Sequence, residues 1–389
     1  MPKRTSAPDA TPIRVVIVTL DTHLASAAEQ AEKTLREELP GLSLTLHAAT
    51  EWNRNPELLE RAKEDIAQGD IVIASMLFTE DQVKAVIEDL QARRDDCDAL
   101  MCAMSAGEVM RLTRMGQFTM DGSNTSGPIK LLKNLRGGKK SGQSAGKQQV
   151  AMLRRIPKIL RYIPGTAQEV RAYFLALQYM LAGSEANLAN MVRFLVNRYA
   201  DGPRKHLRGT LNPADPEEYP ETGVYHPRMK GRVAAKAKQL PRQRNARGRV
   251  GVLVMRSYVL AGNTAHYDAV ISALEARGLE PVPAFAAGLD SRPAVESFFM
   301  DNGKPSVDAV VSLTGFSLVG GPAFNDARAA EDMLAKLDVP YIAAQPTEFQ
   351  TLEEWQDNDL GLLPGESTIM VAMPELAAAP GSMLFAGRT

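Results

Sequence analysis

Three stretches of this 389-residue chain carry side chains suited to binding an anionic ligand: RSYVLAGNTAHYD from Arg256, LTGFSLVGGPAFND from Leu313, and AAQPTEF from Ala343. Together they offer Arg256, Ser257, Tyr258, Asn263, His266, Tyr267, Thr314, Phe316, Gly320, Gly321 and Gln345. The free N–H groups of helix starts there suit an anion. His266 falls in the first turn of an expected helix that begins near Asn263, the expected N-cap. The peptide dipoles there lower an imidazole pKa, so a neutral ring can accept a proton, bind a metal, or simply hydrogen-bond within its loop. Gly320-Gly321-Pro322 either lets backbone approach a ligand closely or makes a tight turn before a helix. Both readings remain open from the residues alone.

Other chemistries lack their signatures. The five histidines (His23, His47, His206, His226, His266) show no HExxH or paired spacing, no G-x-G-x-x-G is present, and there is no Ser-centred nucleophile elbow. SGQSAGKQ, from Ser141, resembles a phosphate loop but has serine in place of the first glycine and Gln148 in place of the magnesium-binding hydroxyl. Cys97 and Cys102 form a lone C-x4-C with no second pair, which reads as reduced thiols rather than a metal site. No metal site, catalytic residue or tightly held cofactor is assigned on these grounds. The aromatic and methionine positions Tyr173, Phe174, Tyr179, Met180 and Phe194 recur at helical spacing, as in a stripe that buries a helix against its neighbour.

The rim residues need strands to position them. Apolar runs IRVVIVTL, LSLTLHA, DIVIASM and DALMCAM alternate with helical patterns at Glu29–Glu38, Pro56–Ala67 and Glu80–Arg93. A second series, VGVLVMRS, EPVPAFA, VDAVVSL and VPYIAAQ, alternates in the same way, with Gly278 stopping the helix after the first. The fold class expected is α/β: two Rossmann-like or flavodoxin-like parallel-sheet domains joined by a helical and extended basic connector. The boundaries expected are an N-terminal β/α domain over 1–121, a basic Gly/Ser/Lys-rich loop segment over 122–165, a helical hairpin over 166–200 with Ser184 as a cap, an extended proline-bearing connector over 201–249, and a second β/α domain over 250–389. Strand-to-helix loops of a parallel sheet emerge at its carboxyl edge, which would bring the three stretches to one rim.

Charge is unevenly spread. Net charge is -1, yet residues 122–168 hold ten Lys or Arg and residues 227–249 nine, with no acid in either. These segments either steer acidic partners or are solvated connectors. Residues 122–168 contain one aromatic, Tyr162, so no stacking platform for nucleic acid is expected. With no run of eighteen apolar residues and no signal-peptide pattern, a cytoplasmic protein without a membrane span is expected.

The strings RSYVLAGNTAHYDAVISALEARGLEPVPAFAAGLDSRPAVESFF, DAVVSLTGFSLVGGPAFNDA, PTEFQTLEEW and EVMRLTRMGQF resemble the large (H) subunits of magnesium chelatases, within the cobaltochelatase superfamily. The resemblance implies the N-terminal portion of a much longer porphyrin-binding subunit. It implies Mg2+ and protoporphyrin IX as substrates of a complex in chlorophyll and bacteriochlorophyll synthesis. ATP would be hydrolysed on partners, an AAA+ subunit and its companion, and later domains of the large subunit would be further partners. No catalytic residue carries over, because the residues that deprotonate the pyrroles are expected beyond residue 389. The alternatives are a non-catalytic interaction module and a cobaltochelatase large subunit; LTRMGQF favours magnesium.

Overall fold

The computed structural model describes residues 10–20, 22–52, 55–121, 155–321, 324–379 and 381–388. The phosphate-loop-like string and most of the basic 122–165 segment lie outside the described residues. Two compact units divide at residues 218 and 219.

The first unit carries β1 (Ile13–Thr19), β2 (Leu42–Ala48), β3 (Ile71–Ser75), β4 (Ala99–Ala103), β5 (Arg114–Met115) and β6 (Phe118–Thr119), in the order β2-β1-β3-β4-β5-β6. The first four strands are parallel and the last two antiparallel. Every residue of β3 and β4 is buried, which is why both read as unbroken apolar runs rather than alternating ones. Helix Glu80–Arg93 starts where the sequence says it should, because Thr79 and Gln82 form a reciprocal capping box. Helices Thr166–Ala182 and Glu185–Tyr199 meet at Gly183, whose φ of 60° is left-handed, and the Ser184 side chain accepts from Asn187 N–H. They belong to this unit: Glu185–Tyr199 packs on Ala25–Arg36, and the Tyr173 hydroxyl donates to Cys102 O at 3.0 Å. Tyr173, Tyr179 and Met180 are buried as core. Cys97 and Cys102 are free and buried, and burial pushes the Cys102 thiol up to about 12, so it is inert as a nucleophile.

The second unit carries β7 (Thr222–Tyr225), β8 (Val233–Ala234), β9 (Arg249–Leu253), β10 (Glu280–Ala286), β11 (Met300–Asp301), β12 (Lys304–Pro305), β13 (Ala309–Ser312), β14 (Gly320–Gly321), β15 (Phe324–Asn325), β16 (Tyr341–Thr351) and β17 (Met383–Arg388). Its main sheet runs β17-β16-β13-β9-β10-β7-β8. The five strands from β17 to β10 are parallel, and β7 and β8 extend the sheet antiparallel. The α/β class with two mainly parallel sheets therefore holds.

Several local expectations change. The stretch from Thr222 to Ala234, read as extended connector, supplies two strands, and its Arg232 bonds Tyr225, Thr264 and Asp268. VGVLVMRS does not stay extended to Ser257: β9 ends at Leu253, and Arg256, Ser257 and Tyr258 open a short helix, Arg256–Ala261, closed by left-handed Gly262. Thr264 rather than Asn263 precedes the next helix, Ala265–Ala276. Gln345 is not in a rim turn, because β16 continues to Thr351 alongside β17. Register shifts at Gln345/Pro346 and Thr347/Thr351 absorb the proline that reads as a strand end. Gly320-Gly321 forms one arm of the β14–β15 hairpin, and Asp326 caps the helix that follows, Ala327–Leu337.

Candidate functional site

In the second sheet the chain goes from β9 to β10 on one side, then crosses to β13 on the other. A crevice at the carboxyl ends of β9 and β13 is the expected ligand position for such a reversal. A cleft of about 250 Å³ of empty space lies there. Val254 and Met255 line it from the end of β9, Ala286, Gly288, Leu289 and Ser291 from the loop after β10, and Thr314, Phe316 and Ser317 from the loop after β13.

The walls are stitched by hydrogen bonds. Gly320 N donates to Leu289 O at 2.7 Å and Ser291 N to Leu318 O at 3.0 Å, which ties the β10 loop to the β13 loop. Thr314 Oγ1 lies 3.1 Å from Ser312 Oγ and donates to Phe316 O at 3.3 Å, closing a turn around Gly315. Ser317 donates to Asn325 at 2.6 Å. The two glycines are needed for this seam. Gly320 has a φ of 119°, strained for any other residue, and a Cβ on Gly321 would stand 2.5 Å from Leu289 Cδ1 and 3.3 Å from the Phe316 ring. Their close backbone approach is therefore to the cleft wall itself.

The eleven rim residues do not converge at one place. Thr314 and Phe316 line the cleft, and Gly320 and Gly321 back its wall. Tyr258, His266 and Tyr267 form a separate aromatic cluster with Phe385 of β17; the His266 ring lies 3.9 Å from Tyr267, 5.8 Å from Tyr258 and 6.1 Å from Phe385. Tyr267 is buried, and its hydroxyl accepts from Met255 N at 3.2 Å, linking cluster to cleft. Arg256 donates to Pro220 O at 3.0 Å and Tyr219 O at 3.2 Å, so it braces the entry to β7. Ser257, within the short helix, and Asn263, just after it, are half-buried. Gln345 is enclosed within β16, its Oε1 without a hydrogen-bond partner among the described residues. Sequence reasoning missed Val254, Met255, Phe385 and the AAGLDS loop from Ala286 to Ser291. The signal for that loop was available, since it follows β10 as the other two loops follow β9 and β13. Among the described residues no group of three or more His, Cys, Asp or Glu converges to hold a metal ion.

Burial lowers the His266 pKa to about 4, against a smaller upward pull from Asp268. The unfolded chain takes up a proton near 6.5 that the folded ring refuses, so stability is complete above that pH, falls as pH drops from 6.5 towards 4, and levels below. Discounted for solvent at a half-buried ring, the loss is about 1–2 kcal/mol. His226, whose pKa burial also lowers, adds with the same sign. Thermal unfolding at pH 7 and pH 4.5 should therefore show a shallower acid loss in His266→Phe than in the parent. Equal losses in both would refute this assignment.

Comparison with known proteins decides the family. Residues 177–389 match the family described as CobN/Magnesium Chelatase, and residues 14–174 match a domain of unknown function, DUF3479. The chain belongs to the CobN/magnesium chelatase family. It is 48% identical over 384 residues, 98% of its length, to the magnesium-chelatase H subunit of Cereibacter sphaeroides, and 47% identical over 374 residues, 96% of its length, to the H subunit of Rhodobacter capsulatus. It spans 32% and 31% of those relatives, about a third of each. A solved structure, the catalytic subunit of cobaltochelatase from Mycobacterium tuberculosis, matches with a TM-score of 0.47 at 17% identity, over 94% of this chain and 24% of that one. Within this CobN/magnesium chelatase family chain, no helix among the described residues is long and apolar enough to cross a membrane.

Proposed function

We propose that the chain is part of the porphyrin-binding subunit of a magnesium chelatase, on which Mg2+ enters protoporphyrin IX in the cytoplasm during chlorophyll or bacteriochlorophyll synthesis. Mg2+ and protoporphyrin IX are then substrates of the complex, and ATP is hydrolysed on an AAA+ partner and its companion. The observation that carries this reading is 48% identity to a magnesium-chelatase H subunit through both units of the chain.

The cleft limits what this portion contributes. Pockets that enclose a small ligand run to roughly 300–1,000 Å³, and the recess here, whose 250 Å³ includes its open mouth, is too shallow to enclose one. It therefore takes an edge of the macrocycle, with Phe316 and Met255 against the apolar rim. Later domains of the large subunit cover the rest of the disc. Titration of the chain with water-soluble deuteroporphyrin should shift the Soret band and quench fluorescence at micromolar protein, with Phe316→Ala weakening binding about tenfold. The small volume also supports a second reading, an interaction module that docks other parts of the chelatase. Absence of any spectral change, with partner subunits still retained in pull-down, would favour that module over porphyrin binding.

A further inference from the structure

The first unit carries a face on which cations and large apolar side chains alternate. Residues 155–160 are helical and pass through a turn into helix Thr166–Ala182. Ile156 and Leu160 point inward and are buried, whereas Ile159, Tyr162 and Ile163 are 55%, 83% and 39% exposed. Arg155, Lys158 and Arg161 are exposed between them, and the Arg161 guanidinium lies 6.0 Å from the centre of the Tyr162 ring. A single exposed apolar residue is ordinary, but three within five positions make a patch. Among the described residues none of the three cations enters an ion pair. No Asp or Glu occurs from 122 to 168, and the next acid, Glu169, is taken by Arg198 at 2.9 Å and by the Tyr199 hydroxyl at 2.6 Å. The backbone beneath the patch is held from helix Thr166–Ala182. Gln168 Nε2 donates to Leu160 O at 2.8 Å and also reaches Arg161 O and Ile163 O, and Arg171 Nε donates to Pro157 O at 3.2 Å.

We propose that this face docks an acidic segment of a protein partner, one in which apolar side chains alternate with carboxylates. Charge complementarity selects that occupant: carboxylates laid along the face meet Arg155, Lys158 and Arg161, which have no acid of their own, and a guanidinium can grip a carboxylate at two points. Tyr162 and the two isoleucines take the apolar residues between them, and Tyr and Arg are the side chains that most often dominate an interface. Because Gln168 and Arg171 fix the backbone, little ordering cost remains to be met on binding. A lipid surface fits less well. A helix lying in a membrane buries a continuous apolar face, and here the inward residues Ile156 and Leu160 are spent on the protein's own core, leaving three apolar side chains outside. The inference is independent of the porphyrin reading, since it concerns the other unit of the chain.

The test uses the whole chain and three fluorescein-labelled peptides of equal length, built from repeated Glu-Glu-Leu-Leu, Glu-Glu-Ser-Ser or Lys-Lys-Leu-Leu units and followed by fluorescence anisotropy. The parent should bind the Glu/Leu peptide about tenfold more tightly than the Glu/Ser peptide, and added salt should weaken both. Tyr162→Ala should weaken the Glu/Leu peptide about tenfold and leave the Glu/Ser peptide unchanged. The joint change Arg155→Glu, Lys158→Glu and Arg161→Glu should abolish binding of the Glu/Leu peptide and confer binding of the Lys/Leu peptide. All four positions are exposed, so thermal midpoints equal to the parent's should show that each variant is folded. If the charge-reversed chain binds the Glu/Leu peptide as the parent does, the attraction comes from other basic residues and the docking face is overturned. It is overturned equally if Tyr162→Ala changes nothing or if the parent binds neither acidic peptide. Retention of the parent, but not of Tyr162→Ala, on phosphatidylglycerol vesicles without peptide binding would make the face a lipid contact and refute the proposal.

Discussion

Phe299→Ala is expected to destabilise the second unit by about 3–5 kcal/mol, the range for removing a buried aromatic side chain. Phe299 is fully buried, and its ring lies over Gly251 of β9: a Cβ on that glycine would stand 2.8 Å from the ring edge. The absent side chain at Gly251 is what makes room for the ring, so the central strand and the segment after helix Arg292–Phe298 fit as knob and socket. Alanine leaves a void among Val282, Val310 and Leu253, which cannot close without moving strands that already pair on both sides. For a unit of this size the unfolding transition should fall by about 10 °C. The ends of β9 and β13 carry the cleft, so the porphyrin binding proposed above should weaken as well. A shift of only a degree or two, followed by circular dichroism, would mean that Phe299 does not hold the sheet.

Arg204→Ala should cost the first unit a similar amount, about 3–5 kcal/mol, because it strands buried charge rather than emptying space. The Arg204 guanidinium forks onto both oxygens of Asp98 at 3.1 Å each and reaches Asp70 at 3.1 Å. Those carboxylates are 6% and 11% exposed, and Asp70 also accepts from Arg14 N at 2.8 Å. Arg204→Lys should recover only part of the loss, since an ammonium cannot match the planar two-point contact. Urea unfolding of the three proteins decides it: equal midpoints would show that water compensates both aspartates. Salt adds a check, because a pair this enclosed is screened much less than an exposed one.

These two sites show where local sequence signals stop. The capping box at Thr79 and Gln82, the Gly183-Ser184 break and the apolar runs of β3 and β4 are legible because each depends on residues within a few positions of one another. Gln345 was not legible. Its proline neighbour reads as a turn, and only pairing with β17, far later in the chain, keeps the backbone extended there. Arg256 looks like a ligand-binding cation on a rim and is instead satisfied by two carbonyls at the entry to β7, a segment whose prolines disguise a strand. Of the proposed site, Thr314 and Phe316 could be picked out as loop residues after a strand, whereas Phe385 could not, since nothing near it in the sequence points to His266.

By itself the sequence determined the α/β class, the alternation of the main parallel strands with helices, the bounds of the helix Glu80–Arg93, and a resemblance to the chelatase large subunits that the family match bears out. The tertiary structure alone decided that the rim divides into a cleft after β13 and an aromatic cluster around His266, and that Gly320 and Gly321 serve the cleft wall. The reason is physical. Periodicity and capping are short-range preferences, while the identity of the neighbour across a sheet is set by burial and pairing between segments far apart in the chain, which no local pattern encodes.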